Sequence, residues 1–239
     1  MKKVLLAALL AALVFSLSPA VQAQTTMTFV TPGNAKTDGL PVDATATFAV
    51  SQGKIVITLT NMTPNTVSSS QLLTDIAFKL SGNVGYINSF SSSSQDVTIK
   101  STGMFNLGKS GVSTGWGYAD AGNGLVLCVV CPFGMKPGGD YGGPGIIGPG
   151  PYGHANGSID KSHDPFLYQT ATFTIFDKNV TAGTTVTAAT FSFGTGFDVN
   201  LINGVPGGMP TTPEPQSMLL FGTGLLLVGG ILRRRLIPT

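Results

Sequence analysis

The chain has 239 residues, a formal net charge of +2, and only 10% charged residues, against ~25% in an average soluble protein. All three arginines are Arg233, Arg234 and Arg235 and the only glutamate is Glu214, so residues 24–212 carry eight Lys against ten Asp and sit near −2. No basic stripe is left to neutralise phosphates, which excludes a nucleic-acid partner.

Met1-Lys2-Lys3 lead into an apolar run from Val4 to Phe15, broken at Ser18-Pro19 and ended by Val21-Gln22-Ala23. A basic start, a short apolar stretch and a small residue at the end predict a secretory signal peptide over 1–23. The expected partners are the Sec export machinery and a signal peptidase that cuts between Ala23 and Gln24. The run of 12 residues is short for a membrane span, which needs ~20.

From Gln24 onward, period-two alternation dominates. Ala44, Ala46, Phe48 and Val50 share one face, with Thr45, Thr47 and Ser51 on the other. After Gln52-Gly53, Ile55, Ile57 and Leu59 alternate with Lys54, Thr58 and Thr60, which predicts a hairpin. Leu72, Ile76, Phe78 and Leu80 form a further apolar face, with Asp75 and Lys79 opposite. Leu125–Val130 is continuously apolar and reads as a buried strand. Ala171, Phe173 and Ile175, then Ala189, Phe191 and Phe193, alternate with Thr and Ser. Many short strands between Gly, Asn, Ser and Pro predict an all-β domain over 24–202, a single antiparallel β-sandwich, with barrel closure as the alternative.

Two stretches read as irregular. Ser89–Gln95 is expected to be a Ser-rich turn. Residues 133–158, with Gly142-Gly143-Pro144-Gly145 and Gly148-Pro149-Gly150-Pro151 at their heart, are expected to be a long mobile surface loop, with a structured binding loop as the alternative. Residues 203–212 read as a linker.

The chain then closes with Pro213-Glu214-Pro215, an apolar run from Met218 to Leu232, and Arg233-Arg234-Arg235. Arginines after an apolar run stay cytoplasmic and leave the domain outside. Fifteen apolar residues at ~1.5 Å each cover only ~22 Å of a ~30 Å hydrocarbon core, a marginal transmembrane helix. Motif, apolar run and Arg cluster in this order resemble the PEP-CTERM sorting signal, here spanning 213–239 as a sorting and anchor segment. The resemblance implies recognition by an exosortase, a membrane protease that cuts near Pro-Glu-Pro. It also implies an inner-membrane intermediate, delivery to the cell surface or extracellular matrix, and a setting of exopolysaccharide and biofilm.

Chemistry-bearing residues are few. Cys128 and Cys131 are the only cysteines, and in an exported protein this C-x-x-C reads as a disulfide. A thioredoxin-like redox role would need a helix N-terminus beside a βαβ unit, whereas Pro132 and a Gly-rich segment follow here. With His154 and His163 the cysteines make up a Cys2His2 set for zinc, but the eight residues between the histidines exceed the usual three to five. Gly103–Ser110 satisfies the P-loop pattern, but no helix can begin at Lys109 in the Gly-rich sequence that follows. Trp116 and Tyr118, two apart, would share a strand face and offer a sugar-stacking pair; burial in the core is the competing reading. Asp160, Asp164 and the Asp120–Gly124 turn carry oxygens without EF-hand spacing.

No cofactor and no catalytic residue is expected. The sequence reads as a non-enzymatic structural protein of the surface or matrix, with a carbohydrate-binding module of the exopolysaccharide as the alternative.

Overall fold

The computed structural model describes residues 24–82, 87–120, 124–129, 131, 143–160 and 164–208. The expected signal and transmembrane helices lie outside the described residues, as do Ala23, His163 and the sorting residues Pro213, Glu214, Pro215 and Arg233–Arg235. Among the described residues the chain is all-β, with one short 3₁₀ turn at Ser69–Gln71. No helix there is long and apolar enough to cross a membrane.

The strands begin with β1 (Thr25–Val30), β2 (Lys36–Thr37), β3 (Leu40–Pro41), β4 (Ala44–Ser51) and β5 (Lys54–Asn61). After the 3₁₀ turn come β6 (Leu73–Leu80), β7 (Ser89–Ile99), β8 (Phe105–Val112), β9 (Gly117–Asp120) and β10 (Gly124–Cys128). The described strands close with β11 (Ile146–Ile147), β12 (Phe166–Phe176), β13 (Val186–Phe193), β14 (Leu201–Asn203) and β15 (Val205–Pro206).

The β4–β5 hairpin shows how the sequence makes the sheet. Burial alternates residue by residue along both strands, because successive side chains point to opposite faces. Gln52-Gly53 connects Ser51 to its partner Lys54. Gly53 turns the chain with φ +73°, a conformation that costs glycine little.

Hydrogen bonds join all the strands except the small β2–β3 hairpin into one sheet of 13 strands, and every pairing but β11–β12 is antiparallel. Its path has two halves: β8-β7-β12-β5-β4-β1 and β9-β10-β6-β13. They are joined twice. β11 lies between β12 and β6, and the segment 201–206 pairs first with β13 and then with β1. The halves face one another: Phe48 of β4 packs on Phe78 of β6 with ring centroids 5.0 Å apart. One buried cluster gathers Phe29, Phe48, Phe78, Phe173, Phe191 and Phe193, each side chain contributing roughly 1.5–3 kcal/mol by its removal from water.

Three expected irregular stretches are corrected. Ser89–Gln95 is no turn but most of β7, seated between β12 and β8. Its serines satisfy neighbours: Ser92 Oγ accepts from Thr114 N at 3.2 Å, and Ser94 Oγ donates to Thr170 O at 2.6 Å. Two flanking strands outweigh the weak strand preference of serine. The linker expected from 203 begins later, because Val205 and Pro206 pair with β1, and Gly204 N donates to Ala189 O at 2.8 Å. The exposed edges of β13 and β1 draw this segment in.

The third correction is the Gly/Pro segment. Residues 133–142 lie outside the described residues, but the part from 143 onward packs into the fold. Ile146, Ile147 and Tyr152 are fully buried. Asn61 explains the insertion. Its buried amide donates to Gln71 O at 2.9 Å and Ile146 O at 2.8 Å, and its carbonyl accepts from Thr63 N at 3.0 Å. Glycine is what allows the approach, since a Cβ on Gly148 would collide with Thr63 O. Tyr152 then closes the bend by donating its hydroxyl to Gly148 O at 2.7 Å.

Candidate functional site

Trp116 and Tyr118 do share a face, and it is the core face. Trp116 is 0% exposed, its Nε1–H donates to Pro144 O at 2.9 Å, and its ring lies 5.1 Å from that of Phe173. Tyr118 is half-buried against Phe90, 5.2 Å between centroids. A ring without an exposed face cannot stack on a sugar, so the stacking reading is corrected for Trp116, which belongs to the core, while Tyr118 packs at its margin.

Cys128 and Cys131 are paired, with Cα atoms 5.4 Å apart. Pairing leaves no thiolate to hold zinc. His154 stands exposed on a turn and His163 lies outside the described residues. Among the described residues no three His, Cys, Asp or Glu side chains are grouped for a metal.

The least expected residue is Asp75. Period two places it opposite the apolar face of β6, where solvent would be expected, yet it is 3% exposed. It forms a cross-strand row with Cys128 on β10 and Ser192 on β13. Its Oδ1 accepts from Val129 N at 3.3 Å, while its buried Oδ2 has no hydrogen-bond partner. Ser192 Oγ donates to Val199 O at 2.6 Å, which ties the 194–200 loop down beside the row. Burial pushes the Asp75 carboxyl up to about 7; the Ser192 hydroxyl and the N–H groups of Asp198 and Val129 offset part of that, and the charge of Asp198 adds to it. Nothing in the local sequence announces this, because the covering loop comes from more than a hundred residues away.

A cleft of about 420 Å³ opens among Leu72, Thr74, Pro144, Asp164, Phe166 and Thr195. Its one carboxylate is engaged: Asp164 accepts from Ile99 N at 3.1 Å and holds the end of β7.

The other half of the sheet presents a face of hydroxyls. Thr28, Thr47, Thr58, Thr172 and Ser93 stand side by side across five strands. Thr45, Thr60 and Thr170 form the next row. Thr28 and Thr47 hydroxyls lie 3.3 Å apart, Thr60 and Thr170 3.1 Å. At one end Phe176 is 40% exposed, with Lys54 Nζ 5.8 Å from its ring centroid.

Two nucleotide- or hydrolase-like patterns find no support. Gly108, Lys109 and Ser110 lie within strand β8, where no helix N-terminus faces a phosphate. Gly111-Val112-Ser113-Thr114-Gly115 fits the G-x-S-x-G form, but it joins β8 to β9, and a nucleophile elbow needs a helix after the serine.

The described site residues thus fall into a covered polar row and an open hydroxyl face, and neither carries a recognisable catalytic set. Comparison with curated proteins and with solved structures found no match. The family described as the PEP-CTERM protein-sorting motif matches residues 211–235, which contain Pro213-Glu214-Pro215 and Arg233–Arg235. That match implies exosortase as the processing partner and export toward the cell surface. The chain is therefore a β-rich protein that carries a PEP-CTERM sorting signal at its C-terminal end.

Proposed function

We propose that this is a non-enzymatic structural protein of the cell surface or extracellular matrix. The observation that carries the reading is the sorting motif at 211–235, placed after a β domain whose last paired strand ends at Pro206. On this reading the signal peptide is removed after Ala23, and the folded-back sheet acts as a sandwich joined at two corners. The C-terminal segment holds the chain in the inner membrane until exosortase cuts near Pro213–Pro215. Cys128 and Cys131 close their disulfide after export, as oxidising compartments favour. Intact mass of protein recovered from native membrane and secreted fractions tests this. A secreted species running from Gln24 to the Pro-Glu-Pro region, two hydrogens short, is the expected result. A membrane species ending at Thr239, with nothing secreted, would make the tail a permanent anchor.

A second reading, binding of a neutral exopolysaccharide, is favoured by the hydroxyl face. Its rows contain no acidic or basic residue, and its end offers the half-open ring of Phe176 with Lys54 beside it. Hydroxyl rows at strand spacing offer donors and acceptors to a polymer of hydroxyls. Retardation in a gel cast with matrix polysaccharide should be lost in a Thr58→Lys/Thr172→Glu variant. Equal migration of wild type with and without the polymer would remove this reading and leave the structural one standing.

A further inference from the structure

We propose that the Cys128–Cys131 pair is a thiol–disulfide exchange site for an external dithiol, with Asp75 as the group that supplies the proton. The inference goes beyond the structural role and rests on the oxidised pair proposed above. Exchange is stoichiometric, one disulfide for each chain, and needs no turnover.

The geometry comes from the sheet register. Cys128 is the direct antiparallel partner of Asp75, so both side chains stand on the same face, with Cβ atoms ~5 Å apart in such a pair. Cys128 is 0% exposed and Cys131 9%, so Cys131 is the less covered of the two and the one at which the attack of an incoming thiolate is placed. A Cβ on residue 117 would lie 3.1 Å from Cys131 Sγ, and that residue is Gly117, so the sulfur packs against bare β9 backbone and a side chain there would crowd it. The register sets the buried carboxyl across the strand pair from Cys128, the leaving cysteine. Burial keeps the carboxyl protonated up to about pH 7. The other charge acting on it is Asp198 from the 194–200 loop, and Lys79 is four residues along β6, exposed on the same face.

The step balances as follows. A thiolate of the dithiol attacks Cys131 Sγ, forming a mixed disulfide and breaking the Cys128–Cys131 bond. The electron pair leaves on Cys128 Sγ, which takes the proton of Asp75. The second thiol of the dithiol attacks the mixed disulfide at the substrate sulfur and releases Cys131. The dithiol is oxidised to its disulfide, the protein pair is reduced to two thiols, and Asp75 regains a proton from solvent. A poor leaving thiolate in a buried site gains most from such a proton donor.

The test is reduction of the folded full domain by dithiothreitol between about pH 5 and 9, followed by alkylation and intact mass, with each rate divided by the dithiothreitol thiolate concentration. The normalised rate should fall by roughly tenfold or more as pH rises through the Asp75 transition. The Asp75→Asn variant should be slow and flat across that range, whereas Asp164→Asn should keep the wild-type profile. A flat wild-type profile overturns the proposal without any variant. So does a folded protein that dithiothreitol reduces only after unfolding, and so does an Asp75→Asn profile that keeps the fall. Free thiols in the protein as isolated under air would instead overturn the oxidised pair on which the inference rests.

Discussion

The two halves of the sheet solve the same problem differently. In the half built from β1, β4, β5 and β12, one face enters the core and the other shows half-buried hydroxyls, and alternation runs through β4, β5 and, from Thr170 on, β12. In the half built from β6, β10 and β13, both faces are covered around Leu73–Ile76 and Phe191–Phe193, so Thr74, Asp75 and Ser192 are as buried as the apolar residues beside them. A face covered by its own chain can hold a carboxylate away from water and shift its proton affinity; a face open to water cannot. Chemistry is therefore to be sought in the second half, and broad, weak surface contact in the first.

Four experiments break or sharpen that contrast. The largest effect falls on the interior that both halves share: Phe48→Ala should cost about 3–5 kcal/mol by urea unfolding, because the ring meets Phe29 and Phe78 at once. Next comes Asp75 in the covered half. Its folded carboxyl titrates at about 7, above the ordinary value of ~3.9 for an unfolded chain, so the folded state holds a proton that the unfolded state has lost. The contribution of Asp75 is thus most favourable below about pH 4, falls as pH rises toward 7, and levels off above that, by on the order of 3–4 kcal/mol in all. Asp75→Asn should flatten this part of the stability–pH curve; an unchanged curve would place the carboxyl in water.

Asn61→Ala should cost about 2 kcal/mol by leaving Gln71 O and Ile146 O without their buried donor. Hydrogen exchange at Ile146 and Ile147 should rise in that variant, while exchange in the β4–β5 hairpin stays slow. The smallest effect belongs to the open face: Thr47→Ala should change stability by less than about 1 kcal/mol. A large loss there would mean that the hydroxyl rows act as one network rather than as separate solvated groups.

The legibility of the molecule follows the same division. The β4–β5 hairpin and the inward Phe173 and Phe191 were readable because a half-buried strand imposes a period of two on its own sequence, and the strand at Leu125 because a strand covered on both faces is apolar throughout. Ser89–Gln95 was not, since its pairing comes from β12 and β8 and leaves little trace in a run of serines. Asp38-Gly39 was a readable signal that went unread. Both residues take positive φ in the two-residue turn between β2 and β3, as Asp-Gly does in tight hairpins. Of the candidate site residues, the C-x-x-C was plain in the sequence, but its neighbour Asp75 was hidden, because register pairs residues 53 positions apart and no local pattern records that.

By itself the sequence determined the route and the material of this protein. Export and sorting are read by machinery that recognises short linear segments, and strand alternation is a local consequence of backbone geometry. Tertiary structure alone decided which polar residues lost their water. It buried Trp116 rather than exposing it, drew Ile146–Ile147 and 201–206 into the sheet, and paired Asp75 with Cys128. The physical reason is that burial depends on what the rest of the chain lays over a residue, and that covering comes from segments far away in sequence.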